Sequence, residues 1–114
     1  MHHVVILAFD GVIAHDLTLA AEAFERASSE QGAPLYSVSV AGSRAEVDAG
    51  FFTMRCPHKI SEAAPRADTI VVPGLARLDQ ALPEVVGEAL MQAAERGVRL
   101  LSICTGAFVL ARYG

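Results

Sequence analysis

No apolar stretch in these 114 residues reaches the roughly 18–20 residues that a membrane-crossing helix needs. The opening Met1-His2-His3-Val4 lacks the basic region of a signal peptide, so no secretory leader is expected. There is no Cys-x-x-Cys, no paired-histidine motif and no internal repeat, which argues against zinc and against a repeat architecture. Only two cysteines occur, Cys56 and Cys104. Nothing in their context suggests a secreted scaffold stapled by disulfides, and a reducing cytoplasm is the expected compartment. Basic residues number nine against thirteen acidic ones, a net charge of −4, which disfavours a grip on nucleic-acid phosphates by this segment. Its own partners are expected to be small molecules or another protein chain, with no membrane, no metal and no cofactor.

Apolar residues, by contrast, make up 53% of the chain, enough for one domain with a modest core. Val4-Val5-Ile6-Leu7-Ala8-Phe9 is a continuous apolar run, as in a strand buried on both faces of a parallel sheet. Asp10-Gly11 breaks it, with Asp10 read as a turn former. From about Asp16 to Gln31 the spacing of Leu17, Ala20, Ala21, Phe24 and Ala27 predicts a helix, with Asp16 as its N-cap and Gly32-Ala33-Pro34 as its stop. Leu35 to Ala41 alternates like a strand, and Gly42 to Pro57 reads as a hairpin or loop excursion. Asp68 to Val72 is a further buried strand, closed by Pro73-Gly74. A helix follows from Pro83 to Arg96, with Gly97 beyond its last turn. Val98 to Ile103 forms the final strand, and an apolar helical stretch begins at Phe108. This alternation predicts an α/β fold with a doubly wound, mostly parallel, flavodoxin-like sheet and ligands at the carboxyl ends of its strands. The short stretch after Cys104 reads as a domain cut short at Gly114.

Cys104 carries the chemistry. It ends a buried-looking strand and opens the small-residue turn Thr105-Gly106-Ala107. Such strand-to-helix turns hold a nucleophile clear of the sheet, ready for attack or ligand capture. A buried, inert cysteine is the alternative. Partners within reach of this topology are Asp16, His15 and Glu22, each a side chain able to take a proton from the thiol. His15 also reads as a solvated loop residue and Glu22 as a surface position. Backbone N–H groups at Thr105 and at Gly74 or Leu75 are expected to form an oxyanion-type pocket, which makes Gly74, Leu75 and Thr105 the candidate ligand-binding residues. Cys56, in Cys56-Pro57-His58, reads as structural or incidental.

Phe9-Asp10-Gly11-Val12, His15-Asp16-Leu17, Glu22-Ala23-Phe24, Ala67 to Gly74 and Ser102 to Ala111 together resemble the ThiJ/PfpI branch of the class I glutamine amidotransferase-like superfamily. The resemblance spans essentially the whole chain, and the block around Cys104 is its most specific part. Within that branch the nearest likeness is to the amino-terminal domain of AraC-family transcriptional regulators. There such a domain senses a signal and a carboxy-terminal helix-turn-helix pair binds DNA. The resemblance implies that residues 1–114 are the N-terminal part of such a domain, which senses a small molecule and forms a homodimer. DNA would be reached only through a region not present in this chain. Isocyanide hydratase is an enzyme relative with a similar layout, and it implies Cys104 as nucleophile or ligand contact and Asp16 as its acid/base partner. Other chemistries open to such a cysteine enzyme are glyoxalase-type addition and amide hydrolysis. Two features depart from the pattern. The family's Thr-Thr-His-Trp-like segment is absent, so this chain assembles no Cys-His pair. The family's common Pro-Gly-Gly is Pro73-Gly74-Leu75 here, which keeps a backbone donor but stiffens the loop.

Overall fold

The structure, a computed structural model, describes residues 1–113. Gly114, where the truncation was read, lies outside the described residues. Five strands form one parallel sheet: β1 (His2–Ala8), β2 (Tyr36–Gly42), β5 (His58–Lys59), β6 (Thr69–Val72) and β7 (Arg99–Ser102), in the order β5-β2-β1-β6-β7. Central β1 lies between β2 and β6, which is why its apolar run is continuous: Val4 to Phe9 are all buried. All four residues of β6 are buried for the same reason. The segment between β2 and β5 is a separate antiparallel hairpin, β3 (Glu46–Asp48) and β4 (Thr53–Arg55), anchored by the buried Val47.

Helices cover both faces. α1 (Ala14–Arg26) packs on β1 and β2, where Phe24 meets Tyr36 edge-on at 5.0 Å between ring centres. On the other face lie α2 (Ile60–Ala63), a 3-10 turn over Ala64–Arg66, and α3 (Glu84–Glu95), which packs on both and on β7. α4 (Gly106–Arg112) leads away from β7, and Tyr113 after it rests against Gly87 of α3. The predicted α/β architecture with a mostly parallel sheet is the observed one. No helix among the described residues is long and apolar enough to cross a membrane.

Three boundaries differ from expectation. α1 ends at Arg26 rather than Gln31, because Ala27 turns extended and Ser28 bridges to Pro34 around a turn at Ser29 to Gly32. α4 begins at Gly106, two residues before Phe108. Asp16 is not an N-cap: Ile13 occupies that place without a side-chain cap bond, and Asp16 sits inside the first turn of α1.

Candidate active site at the carboxyl edge of the sheet

The loops after β1, β6 and β7 are laced together by main-chain bonds. Ile13 N–H donates to the Gly74 carbonyl at 2.9 Å, and Ala76 N–H donates to the Gly11 carbonyl at 2.8 Å. Ile103 N–H donates to the Val72 carbonyl at 3.0 Å, which aligns the end of β7 with the end of β6. The loop after β2 joins them through Ser43 N–H, which donates to the Ala8 carbonyl at 2.9 Å.

Cys104 stands at the turn between β7 and α4 with φ of 53°, the sole non-glycine residue in the left-handed region among the described residues. An L-residue held there costs about 1–2 kcal/mol, so the surrounding contacts must impose it. The reason lies two residues on. Gly106 packs so tightly beneath the loop after β6 that a Cβ would collide with the Val72 carbonyl oxygen and lie 2.9 Å from that of Pro73. α4 can begin this close only if the chain turns sharply first, and Cys104 takes the strain. Its thiol is exposed as a result.

Two latches tie the flanking loops. Buried Asp16 accepts a hydrogen bond from Gly74 N–H through Oδ2 at 3.1 Å. Leu75 N–H donates to Thr105 Oγ1 at 3.0 Å, and that hydroxyl lies 3.2 Å from the Leu75 carbonyl oxygen, to which it donates. Gly74 is required by this closeness, since a Cβ would fall 2.6 Å from Asp16 Oδ2 and 2.7 Å from Thr105 Oγ1. Leu75, in the position read as a stiffened loop, is buried and closes the core beneath the turn.

Asp16, Gly74, Leu75 and Thr105 thus meet beside the Cys104 turn. The Gly74 and Leu75 N–H groups, expected as oxyanion donors, are already engaged by Asp16 and Thr105. The N–H groups of Cys104 and Thr105 have no partner among the described residues and are the donors left free beside the thiol. His15 and Glu22 are both exposed on α1, and no hydrogen bond joins either of them, or Asp16, to Cys104 among the described residues.

Asp10 does more than turn the chain. Its carboxylate binds Arg44 through both oxygens, at 2.8 and 3.1 Å, and accepts Asp48 N–H at 2.7 Å. The Arg44 guanidinium, with that N–H, holds the Asp10 carboxyl below its ordinary range. Gln80 donates to the Asp10 carbonyl at 2.6 Å, and Arg112 of α4 donates to the carbonyls of Gln80 and Leu78. The loop after β6 is therefore tied around Leu78 and Gln80 both to the β1 loop and to α4. Sequence reasoning missed Arg44, Gln80 and Arg112, because each acts across more than 30 residues on groups without a local signature.

The DJ-1/PfpI family matches residues 2–114. The chain belongs to that family. It is 38% identical over 119 residues to the "uncharacterized protein in cpoL 5′ region" of Streptomyces lividans, covering 99% of this chain and 80% of that one. Its fold is similar to DJ-1beta of Drosophila melanogaster, with a TM-score of 0.77, 21% identity and 99% of this chain covered. It is also similar to an AraC family transcriptional regulator from Pseudomonas putida, with a TM-score of 0.75, 20% identity and coverage of 98% of this chain and 70% of that one. The chain spans 60% of the Drosophila protein's length. Among the described residues no group of three or more His, Cys, Asp or Glu is placed to hold a metal ion.

Proposed function

We propose that this DJ-1/PfpI domain is the ligand-sensing and dimerising N-terminal part of an AraC-type transcriptional regulator. It works in the cytoplasm and reaches DNA only through units outside residues 1–114. The observation that carries the reading is Cys104 at φ 53°, its thiol exposed between the Asp16–Gly74 and Thr105–Leu75 latches. A small molecule captured at that thiol touches the turn into α4. Through Thr105 it also touches the loop that Arg112 clamps. Binding then biases the dimer only so far as its affinity differs between two arrangements of these loops. The fold shared with the Pseudomonas putida regulator supports the choice.

The test is inducer-dependent expression from an operator-linked reporter, read for the complete gene product. Cys104→Ala and Asp16→Ala are expected to abolish the response while basal operator binding persists. Full response in Cys104→Ala would end this reading.

The exposed, strained thiol also favours a second reading, a ThiJ/PfpI-group cysteine enzyme. Cys104 would attack a small electrophilic carbon, as in isocyanide hydration, and Asp16 would exchange the proton. Turnover by the purified protein that is lost in Cys104→Ser would decide for it.

A further inference from the structure

Helices cover both faces of this sheet, a setting in which both sides of a strand are ordinarily apolar. β2 departs from that rule on one side only. Tyr36, Val38 and Val40 face α1, whereas Ser37 and Ser39 are turned toward α2 and are half-buried there. The strand register sets His3 of β1 opposite Ser37, and Val5 opposite Ser39. α2 has only four residues and β5 only two, and together they leave this corner of the sheet open. What remains is a cleft of about 450 Å³, lined by His3, Ser37 and Ser39 on the strands, His58 of β5, and Glu62 and Arg66 above them. Its volume is that of a small-molecule site.

The walls are held by the main chain. His3 N–H donates to Asp68 Oδ2 and the His3 carbonyl accepts Asp68 N–H, each at 2.8 Å, which fixes the chain just beyond Arg66. Arg96 donates to the carbonyls of Pro65 and Ala64 at 2.6 and 3.1 Å, pinning the 3-10 turn that carries Arg66. The side chains facing the cleft are uncommitted by contrast. Among the described residues, no side-chain hydrogen bond or ion pair engages Ser37, Ser39, His58, Glu62 or Arg66. Glu62 and Arg66 stand four residues apart, the order and spacing that ordinarily join such a pair along a helix. Here the chain tightens to a 3-10 turn at Ala64, which swings Arg66 off that line. Both charges are left facing the cleft.

We propose that this cleft binds a small zwitterion, an α-amino acid with a polar side chain, its carboxylate on Arg66 and its ammonium on Glu62. Such a molecule carries its two charges on one carbon, a match for opposite charges on adjacent turns of one short helical segment. The guanidinium receives the carboxylate through paired hydrogen bonds, and the Glu62 carboxylate accepts those of the ammonium. The ligand's side chain then lies along β2, where Ser37 and Ser39 offer hydroxyls roughly 7 Å apart and His58 a ring nitrogen. Val5 and Ala63 supply the only apolar lining, too little to favour an aliphatic side chain. A lone anion would satisfy Arg66 but set its charge against Glu62, which places the zwitterion ahead of a phosphate or a simple acid. Cys104 follows β7, at the far edge of the sheet from β2. The cleft therefore goes beyond the reading above and does not rest on it.

The deciding experiment is isothermal titration of the complete gene product with each protein amino acid, and with acetate and ethylamine as the two charges taken apart. A polar amino acid should bind, asparagine ahead of leucine, and each separated charge at least about tenfold more weakly. Arg66→Gln and Glu62→Gln should each weaken that binding by at least about tenfold, what the loss of one charge-assisted hydrogen bond amounts to. Both side chains are exposed, so both variants should keep the wild-type Tm. Replacing Ser37 and Ser39 together by alanine should erase the preference for asparagine over leucine. Cys104→Ala, which removes the other site, should leave this affinity as it is. Binding that survives Arg66→Gln but falls in Cys104→Ala would put the amino acid at the thiol and overturn the proposal. Acetate or inorganic phosphate binding as tightly as any amino acid, indifferent to Glu62→Gln, would make the cleft an anion site and overturn it too. No binding by any amino acid at millimolar concentration would end the proposal while leaving the sensor reading of Cys104 untouched.

Discussion

Cys56 and Cys104 each follow a short strand and precede a turn, yet they end in opposite settings. Cys56 leaves β4 with its N–H donating to the Ala45 carbonyl at 2.8 Å. Its side chain turns inward against Gly42, where even a single Cβ would lie 2.7 Å from the sulfur. Burial pushes that thiol up from its ordinary value. Cys104 leaves β7 through a left-handed residue, its N–H has no partner among the described residues, and its thiol faces out. The setting of each thiol follows where the main chain goes next: after Cys56 it bends once at Pro57 and rejoins the sheet in β5, whereas after Cys104 it dives at Gly106 under the Val72 carbonyl.

The sharpest way to break this contrast is at Gly106. Gly106→Ala forces a Cβ into main-chain oxygens of Val72 and Pro73, atoms that cannot swing aside. We expect a loss of about 3 kcal/mol or more, read as a large drop in Tm, because overpacking against backbone has no cheap relaxation. Gly97→Ala serves as the control. Its φ of 72° is strained for alanine but nothing lies within 4 Å, so about 1 kcal/mol is expected.

That asymmetry explains what could be read from the chain beforehand. The elbow was legible because Cys-Thr-Gly after an apolar run is a local pattern, as were the buried runs of β1 and β6. The partners of the elbow were not. An aspartate that caps a helix and one in its first turn look alike in sequence. Only the Gly74 N–H, 58 residues away, distinguishes them for Asp16. Asp10 likewise reads as a turn residue until Arg44 comes round to its carboxylate. Phe51 carries no signal of its own inside the Gly42 to Pro57 excursion, and only the fold reveals that it is fully exposed. The oxyanion expectation fell short because a backbone donor can be named from sequence, but whether it is already spent cannot.

The two thiols themselves sharpen the comparison next. In native protein, iodoacetamide should label Cys104 at least about hundredfold faster than Cys56, which is released only by local opening. Peptide mapping after timed quenching gives both rates in one sample. Comparable rates would mean that the hairpin holding Cys56 opens readily, and the structural role given to Cys56 would fall. A smaller effect is expected from Cys104→Gly. Glycine occupies φ 53° without the cost an L-residue meets there, so this variant should gain about 0.5–1 kcal/mol in stability while losing all function of the site. A loss of stability would show that the thiol itself makes contacts that hold the turn.

The smallest expected effect concerns the ties around the elbow. Asp10 has its carboxyl pulled down chiefly by the Arg44 hydrogen bonds, then by Asp48 N–H, against a minor opposing effect of burial. A carboxylate whose folded pKa is depressed contributes stability that is fully present above its unfolded value of about 3.9 and fades as pH falls through the folded value. Both partners are about half exposed to solvent, so screening keeps the contribution to a few tenths of a kcal/mol. Asp10→Asn should therefore lower Tm by a degree or two at pH 7, about what a few tenths of a kcal/mol amounts to in a domain of this size. The gap to wild type should begin to narrow as pH falls below about 4, where the unfolded carboxyl takes up its proton, and should close once the folded carboxyl is protonated too, at lower pH. A gap that instead stays constant with pH would mean that Asp10 acts through the shape of its turn and the Asp48 N–H, and that the charge on Arg44 matters little to how the loops beneath Cys104 are held.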